Sequence, residues 1–329
     1  AVIIDAGPEL ANAASGNRLA LQIPRLTVDN NDTSQLSASC LAYATHCSDL
    51  SKATITKKVI SLDWPEREVL RQNKFRQQHW PDDLLCAVDS GEASVIAGVP
   101  IPTGGIVHNY GRVIDPACLC HYLAGDTHTL FHTEIIKVMR GDKGLVIYTK
   151  AGRQFVFDVI VVATGARLQT TLKQLSIAGV KVDITTGQVS HVPEQPNLAG
   201  LRVGLSFGGY LTPSHNGFHD LGATFNRNRH IDFDDGAYDH NRKLLPHGLR
   251  EFFHYVNARD GRVSQRASTP DRNPVMGCID NNIYVLGAVG ARGFTMAPLL
   301  GDCLAAQIAK MPHCLSHRMQ AALNPFRFV

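Results

Sequence analysis

Three apolar stretches, each ending in an acid or a small-residue turn, constrain the fold of this 329-residue chain more than any other feature. They are residues 1–5 (Ala-Val-Ile-Ile-Asp), 158–166 (Asp-Val-Ile-Val-Val-Ala-Thr-Gly-Ala) and 282–287 (Asn-Ile-Tyr-Val-Leu-Gly). Apolar runs of this length, without polar alternation, are typical of strands buried on both faces of a parallel sheet. The sequence therefore predicts an α/β fold with buried parallel strands.

Helices, turns and further strands are predicted between these stretches. Helices are expected over residues 34–50, 65–79, 117–124 and 299–310, with Asp115 as an N-terminal cap for the third. Strands are expected over 58–64 and 104–109, and a three-stranded meander over 133–140, 144–150 and 154–157 because glycine-containing turns separate its strands. Residues 193–274 are richer in His, Asn, Arg and aromatic residues, which indicates a second, substrate-facing domain.

Composition excludes several classes of protein. Apolar residues make up 44% of the chain, which is enough for a globular core, yet no run approaches the roughly 18 apolar residues of a membrane span. The eight cysteines form no CxxC pair, so reduced thiols in a cytoplasmic protein are expected, and no metal site is predicted. A net charge of +3 permits an anionic partner without requiring one.

The order of these segments resembles the D-amino-acid oxidase-like family of FAD-dependent oxidoreductases. Within that family, three segments are more similar to the FAD-dependent oxidase domain of the bifunctional tRNA 5-methylaminomethyl-2-thiouridine biosynthesis proteins (MnmC). They are residues 14–18 (Ala-Ser-Gly-Asn-Arg), 222–227 (Gly-Ala-Thr-Phe-Asn-Arg) and 286–300, which contain Gly-Ala-Arg-Gly-Phe-Thr-Met-Ala-Pro-Leu. The ending Leu-Asn-Pro-Phe-Arg-Phe at 323–328 is also similar.

The resemblance implies a Rossmann-like FAD-binding domain with a discontinuous α+β substrate domain. The FAD-binding domain is expected over residues 1–62, 109–187 and 276–329, and the substrate domain over 63–108 and 188–275. The family opens with a strand and a GxGxxG turn that brings backbone N–H groups to the FAD pyrophosphate. This sequence contains no GxG, so about thirty residues of the family pattern, one strand and one helix, are expected to be absent from its start.

FAD is the cofactor that the resemblance implies. The resemblance also assigns four groups of residues to contacts with this cofactor. Asp5, with Glu9 as the alternative, would accept hydrogen bonds from the ribose hydroxyls. The other groups are a small-residue loop along the cofactor, a strand exit under its adenine end and a loop beside the flavin ring: Ser15, Gly16, Asn17; Ala163, Thr164, Gly165; and Gly290, Arg292, Gly293, Phe294, Thr295. Without the resemblance, the same residues are a surface acid, a turn and strand ends.

Arg266 and Tyr210 are the residues that the resemblance assigns to the substrate carboxylate, with Arg292 as a third catalytic residue beside the flavin. A planar guanidinium can hold a carboxylate through two hydrogen bonds. Flavin-dependent amine oxidation mainly requires that the carbon next to nitrogen be held against the ring. The residues alone leave open a surface arginine and a core tyrosine.

The implied substrate is the 5-carboxymethylaminomethyl group of a tRNA wobble uridine. A tRNA partner requires phosphate contacts, for which the sequence offers Arg18, Arg25, Lys57, Lys58, Arg227, Arg229, Arg242 and Lys243. Bifunctional family members carry a methyltransferase domain that has no counterpart here, so methyl transfer would fall to another domain or protein. Two alternatives stay open: a small-molecule glycine or D-amino-acid-type oxidase, and a non-catalytic remnant unable to bind FAD.

Overall fold

A computed structural model describes residues 1–29, 31–78, 80–177, 180–227, 231–253 and 260–328. The strands in these ranges are β1 (Val2–Ile4), β2 (Ala20–Gln22), β3 (Thr54–Leu62), β4 (Leu85–Val88), β5 (Gly105–Ile114), β6 (His128–Leu130), β7 (Ile135–Gly141), β8 (Gly144–Thr149), β9 (Gln154–Phe157), β10 (Ile160–Val162), β11 (Asp183–Pro193), β12 (Gly204–Ser206), β13 (Tyr210–Leu211), β14 (Phe218–Gly222), β15 (Asp260–Ser268), β16 (Val275–Asp280) and β17 (Ile283–Gly287). The helices are α1 (Asp32–Leu50), α2 (Glu66–Arg76), α3 (Ser90–Ala97), α4 (Pro116–Ala124), α5 (Leu168–Gln174), α6 (Ala237–Leu244), α7 (His247–Arg250), α8 (Gly293–Ile308) and α9 (His317–Leu323).

A nine-stranded, mostly antiparallel sheet is the largest element of the fold. Its strands run in the order β15-β11-β14-β13-β12-β3-β5-β2, and β4 pairs with β5. A core of aliphatic and aromatic side chains packs on it, including Ile60, Leu205, Leu211 and Phe253. The sheet joins strands from both predicted domains, and the division of the chain into those domains stays a prediction.

The parallel strands predicted at 1–5, 158–166 and 282–287 form, but in two separate sheets. β1 pairs in parallel with β6, whereas β10 pairs in parallel with β17, whose other neighbour is the antiparallel β16. The expected full burial is wrong, because Val2 is 36% exposed and Val161 is 45% exposed. In β10 the side chain of Val161 points to the opposite face from those of Ile160 and Val162, and that face is exposed to solvent.

The predicted helices are confirmed, with shifted ends. α1 starts at Asp32, where the Asn31 side chain accepts from Thr33 and Ser34, and α4 carries the predicted Asp115 cap, which accepts from the Cys118 N–H. The prediction for α2 extended to residue 79, which lies outside the described residues, and the helix ends at Arg76. The meander is confirmed as β7-β8-β9.

Helix α8 begins at Gly293, six residues earlier than the predicted start at 299. A proline more often precedes a helix than lies within it, because it lacks a backbone N–H, but Pro298 lies inside this one. An α-helical N–H normally bonds the carbonyl four residues earlier, so Phe294 loses that partner. The Gln22 side-chain amide takes its place and donates to the Phe294 carbonyl at 2.8 Å. α8 is therefore tied directly to β2.

Two further observations bear on the class of protein. Within the described residues, every helix is too short or too polar to cross a bilayer. The same residues contain no cluster of three His, Cys, Asp or Glu side chains arranged to hold a metal ion.

Candidate functional site

The turns that follow β10 and β17 meet on the strand that carries Arg266. The 3₁₀ turn Gly165–Arg167 follows β10, the 3₁₀ turn Gly290–Arg292 follows β17, and both contact β15. Ser268, at the end of β15, also bridges to Val289. Two of the predicted cofactor segments are thereby placed together at the carboxyl ends of neighbouring parallel strands, where open α/β sheets bind ligands.

The fold brings three of the predicted site residues, Arg266, Tyr210 and Asn17, next to one another. The Arg266 guanidinium packs on Gly187 and lies 5.7 Å from the centre of the Phe225 ring. Its side chain makes no hydrogen bond or ion pair to the described residues, and burial lowers its pKa although the neighbouring Tyr210 opposes that shift. A desolvated guanidinium without a carboxylate is a binding site for an anion.

Tyr210 completes this group with a buried hydroxyl that has no hydrogen-bond partner in the described structure. Burial raises the pKa of Tyr210, and the negative charge of Asp220 raises it further, so the hydroxyl stays protonated and can donate. The Asn17 carboxamide lies near the Tyr210 hydroxyl and lowers its pKa slightly against the larger effect of burial. The buried Asn17 Oδ1 is also unpaired, so Asn17 and Tyr210 are close without a well-formed hydrogen bond between them. Both are free to contact a ligand.

Arg292 is a second guanidinium without a described carboxylate or hydrogen-bond partner. Burial lowers its pKa to about 10, and the positive charges of Arg71, Arg25 and Arg266 add to that shift. Arg292 lies in the wall of a cavity of about 180 Å³. The charge of Arg266 is among those that act on Arg292, although Arg266 itself does not line the cavity.

His108, on β5, lies in the wall of the same cavity and was missed by the sequence analysis. Its Nε2 lies 2.9 Å from the Ser61 hydroxyl, while its buried Nδ1 has no partner among the described residues. Burial lowers the pKa of His108 to about 3, with further contributions from Arg292 and Arg71, so the imidazole is neutral. No motif surrounds His108 in the sequence, and its role depends on packing alone.

The small-residue loop is held in place by Arg262, four residues before Arg266 on β15. Its guanidinium donates at 2.7 Å to the carbonyls of both Asn12 and Ala13. It also fills part of the space beside Gly16. An added Cβ at Gly16 would lie 2.5 Å from the Ala11 backbone carbonyl oxygen, which cannot turn aside as a side chain can, so this backbone contact favours glycine. Ser15 lies beside the Cys120 thiol.

The other end of that loop is held by buried polar groups. The Leu19 N–H donates to Asp220 at 3.0 Å, and His191 lies between Asp220 and the exposed Asp260. Burial raises the pKa of the Asp220 carboxyl. This network was also missed, because its members lie far apart in the sequence.

The remaining predicted cofactor residues differ in how they are used. Asp5 lies in the separate β1–β6 sheet, half-buried, and one carboxylate oxygen accepts from the Gly7 N–H at 2.7 Å. The predicted strand exit Ala163, Thr164 and Gly165 is exposed, and Gly165 has a φ of +53° with open space beside its Cα. Phe294 packs against a core cluster, and the Thr295 hydroxyl donates to the Ile23 carbonyl at 3.2 Å. The side chains of Phe294 and Thr295 thus make contacts within the protein that stabilise its fold.

These residues fit a flavin cofactor at the end of the site where β10, β15 and β17 converge. Arg292 precedes the 16-residue helix α8, whose first N–H groups have no side-chain cap. A helix start of this kind, beside an unpaired guanidinium, favours the negative charge that collects on a reduced flavin ring. The open surface at Gly165 and the unpaired Asn17 oxygen are further places for a cofactor to contact.

The basic residues proposed for tRNA contact divide into paired and exposed ones. Arg18 pairs with Asp260 at 3.2 Å, Arg242 with Asp239 at 3.7 Å, and Arg25 donates to two backbone carbonyls. Lys57, Lys58, Arg227 and Lys243 have exposed or partly exposed side chains, and Arg229 lies outside the described residues.

Comparison with known proteins gives consistent similarities. A model of the FAD dependent oxidoreductase family DAO matches residues 1–307. The tRNA 5-methylaminomethyl-2-thiouridine biosynthesis bifunctional protein MnmC of Shewanella baltica is 29% identical over 374 aligned residues, covering 97% of this chain and 52% of that protein. MnmC of Aeromonas hydrophila is 27% identical, with 97% and 54% covered. The chain spans about half the length of these curated relatives.

Solved structures show the same fold at lower sequence identity. Glycine oxidase from Geobacillus kaustophilus aligns with a TM-score of 0.78 at 18% identity, covering all of this chain and 91% of that one. L-amino acid deaminase from Proteus vulgaris aligns with a TM-score of 0.79 at 12% identity, covering 99% and 91%. These likenesses support the predicted Rossmann-like FAD-binding fold.

Proposed function

Because this chain belongs to the FAD dependent oxidoreductase family DAO, we propose that it oxidises a secondary amine that carries a carboxylate. The substrate is the 5-carboxymethylaminomethyl group, with or without a 2-thio substituent, of a tRNA wobble uridine. The product is the aminomethyl uridine. The MnmC relatives, which match 97% of the chain and are named for tRNA 5-methylaminomethyl-2-thiouridine biosynthesis, support this choice of substrate.

The observation that carries the proposal is the unpaired, desolvated guanidinium of Arg266 beside the Tyr210 hydroxyl. A buried cation without a counter-charge is costly unless a ligand supplies that charge. A carboxylate does so through two parallel hydrogen bonds to the guanidinium and one to the hydroxyl. The carbon that loses hydride is bonded directly to this carboxylate, and the amine nitrogen is bonded to that carbon.

In this proposal the residues of the chain position the substrate and stabilise the negative charge that develops on the reduced cofactor. When bound, FAD supplies the hydride acceptor, and Arg292 with the start of α8 would hold its ring. Arg266 and Tyr210 hold the carboxylate, which fixes the carbon that loses hydride while the nitrogen loses its proton. The resulting C=N bond is hydrolysed by water, which releases glyoxylate and leaves the aminomethyl group on the uridine. No strong acid or base is required beyond an unprotonated substrate amine.

The proposed partners follow from the substrate. tRNA presents its phosphates to exposed basic side chains such as Lys57 and Lys58, and a methyltransferase domain or protein acts next on the aminomethyl product. The proposed location is the cytoplasm, where tRNA is modified and where eight free cysteines stay reduced.

A second candidate is a small-molecule oxidase of the glycine or D-amino-acid type. The full-length structural match to a glycine oxidase favours it, because the same guanidinium and hydroxyl would hold a free amino acid. Turnover of free glycine or sarcosine at rates independent of added tRNA would select this candidate.

One experiment tests both candidates and the non-catalytic alternative. The purified chain is supplied with FAD, its flavin absorbance is recorded, and it is incubated with tRNA containing 5-carboxymethylaminomethyl-2-thiouridine or with sarcosine. We expect retained flavin, conversion of the tRNA nucleoside to its aminomethyl form, and one glyoxylate per nucleoside converted. Protein that stays colourless after FAD addition supports a remnant, and oxidation of sarcosine alone supports the small-molecule oxidase.

A further inference from the structure

The cavity beside Arg292 lies outside the group of Arg266, Tyr210 and Asn17 and outside most of the predicted cofactor surface. Among the residues predicted to contact FAD, only Arg292 lines it, and neither Arg266 nor Tyr210 does. Its apolar walls include Ile23, Pro24 and Phe207. At about 180 Å³ it is smaller than the roughly 300 Å³ and above of pockets for drug-sized ligands, so its occupant is one small ring.

Polar groups in the wall define the chemistry of that occupant. The His108 Nδ1 is buried and unpartnered, and the imidazole is oriented by Ser61 at 2.9 Å. Arg292 is the one guanidinium of this wall without a described counter-charge, because Arg71 pairs with Glu68 at 3.1 Å. A neutral ring with carbonyl oxygens and an N–H group offers acceptors to Arg292 and a polar edge to the imidazole.

We propose that this cavity is a pyrimidine pocket, in which His108 and Arg292 hydrogen-bond the polar edge of the uracil ring of the substrate. This inference rests on the proposed function and extends it to the choice of substrate. The carboxylate lies at Arg266, the amine passes Arg292, and the ring lies between Pro24 and Phe207 against His108. A free glycine occupies only the Arg266 end and leaves the cavity empty, which is the physical basis for preferring the modified nucleoside.

Calorimetric titration of the purified chain tests this assignment without turnover. The ligands are the nucleoside 5-carboxymethylaminomethyluridine and sarcosine, which shares the carboxymethylamine but lacks the ring. His108→Ala is expected to weaken nucleoside binding about five- to tenfold, the range of one buried hydrogen bond, and to leave sarcosine binding unchanged. Ser61→Ala, which frees the imidazole to turn, is expected to show the same selectivity with a smaller loss of about threefold.

The matched control is His240→Ala, because His240 is exposed on α6, away from the cavity. It is expected to change neither affinity. Equal losses for both ligands in His108→Ala and Ser61→Ala, unchanged nucleoside affinity, or a wild-type chain that binds sarcosine but not the nucleoside would each overturn the pocket. A failed oxidation assay with selective nucleoside binding would instead reject the proposed oxidase activity and keep the pocket.

Discussion

Arg266 and Arg292 differ from ordinary surface arginines in a way that only their surroundings reveal. Both are desolvated, both have lowered pKa values, and neither has a carboxylate among the described residues. Arg262, on the same strand as Arg266, donates from Nη2 to the loop carbonyls of Asn12 and Ala13. The proposed function therefore gives the three arginines different roles: Arg266 for the substrate carboxylate, Arg292 for the cofactor and the cavity, and Arg262 for the loop.

Replacing Arg266 by alanine is expected to raise the KM for the carboxylate-bearing amine by about 10- to 100-fold while flavin is retained. The reason is the loss of charge-assisted hydrogen bonds to the carboxylate. Steady-state kinetics with flavin absorbance of each preparation measure this. Arg266→Lys keeps the positive charge but cannot form two parallel hydrogen bonds, so its KM should lie between those of the wild type and Arg266→Ala. Unchanged kinetics would remove Arg266 from the site.

His108 makes folding stability depend on pH. Its folded pKa of about 3 lies below the ordinary value of 6.5, so the unfolded chain binds the proton more readily. The free energy of unfolding should fall as the pH drops from about 6.5 toward 3, by up to about 1.4 kcal/mol per pH unit from this residue. Urea unfolding at pH 6, 5 and 4 measures the slope. His108→Gln should flatten it, whereas the exposed His240→Gln should not.

At the level of elements, α8 links the cofactor end of the site to the rest of the fold. The turn Gly290–Arg292 that precedes α8 contacts β15. The Phe294 carbonyl of α8, to which Pro298 cannot donate, accepts from Gln22 on β2. Gln22 is fully buried and also accepts from the Ser48 hydroxyl at 2.9 Å, which adds α1 to the connection. One side chain thus ties a helix start to a sheet and a second helix.

Gln22→Leu is expected to destabilise the chain by about 1 to 3 kcal/mol, because the part-buried Phe294 carbonyl and the buried Ser48 hydroxyl lose their partner. Combining it with Pro298→Ala supplies a backbone N–H for that carbonyl, so the double variant should lose less than the sum of the two single changes. Chemical denaturation of the four proteins measures the coupling. Strict additivity would show that Gln22 does not compensate for Pro298.

Gly293→Val is expected to cost flavin binding, because an added Cβ at this position lies 3.2 Å from the Val289 side chain, at the turn that borders the cofactor. The matched control is Gly301→Val on the same helix, where the nearest atom to an added Cβ is 4.0 Å away. Flavin absorbance after desalting distinguishes them. A Gly293→Val protein that stays yellow would mean that the cofactor loop lies elsewhere.

At the scale of the whole molecule, the proposed binding of tRNA depends on basic side chains that lie away from the site of oxidation. If two phosphates are neutralised by basic side chains, raising the salt concentration from about 50 to 200 mM should lower kcat/KM for tRNA about tenfold. The free modified nucleoside makes no such contacts, so its kcat/KM should change little. Equal salt dependence for both substrates would argue that phosphate contacts do not contribute.

Much of the fold follows from local patterns. Capping at Asp115, the glycine turns of the meander and the apolar runs of β1, β10 and β17 depend on neighbours within a few residues, and each predicted its element. Predictions failed where the outcome depended on a distant partner. The start of α8 at Gly293 accompanies a hydrogen bond from the distant Gln22 to the Phe294 carbonyl. The exposure of Val161 depends on what covers its face of β10, which neighbouring residues in the sequence do not show.

The sequence by itself determined the family, through the order of its strands and the Arg-Gly-x-x-x-Ala-Pro-Leu segment, and it named Arg266, Tyr210 and Arg292 as residues to examine. Only the tertiary structure decided that Asn17, Tyr210 and Arg266 meet and that His108 lies in a cavity with Arg292. The physical reason is that desolvation and unpaired polar atoms are properties of packing between distant segments. No local pattern in the sequence encodes them.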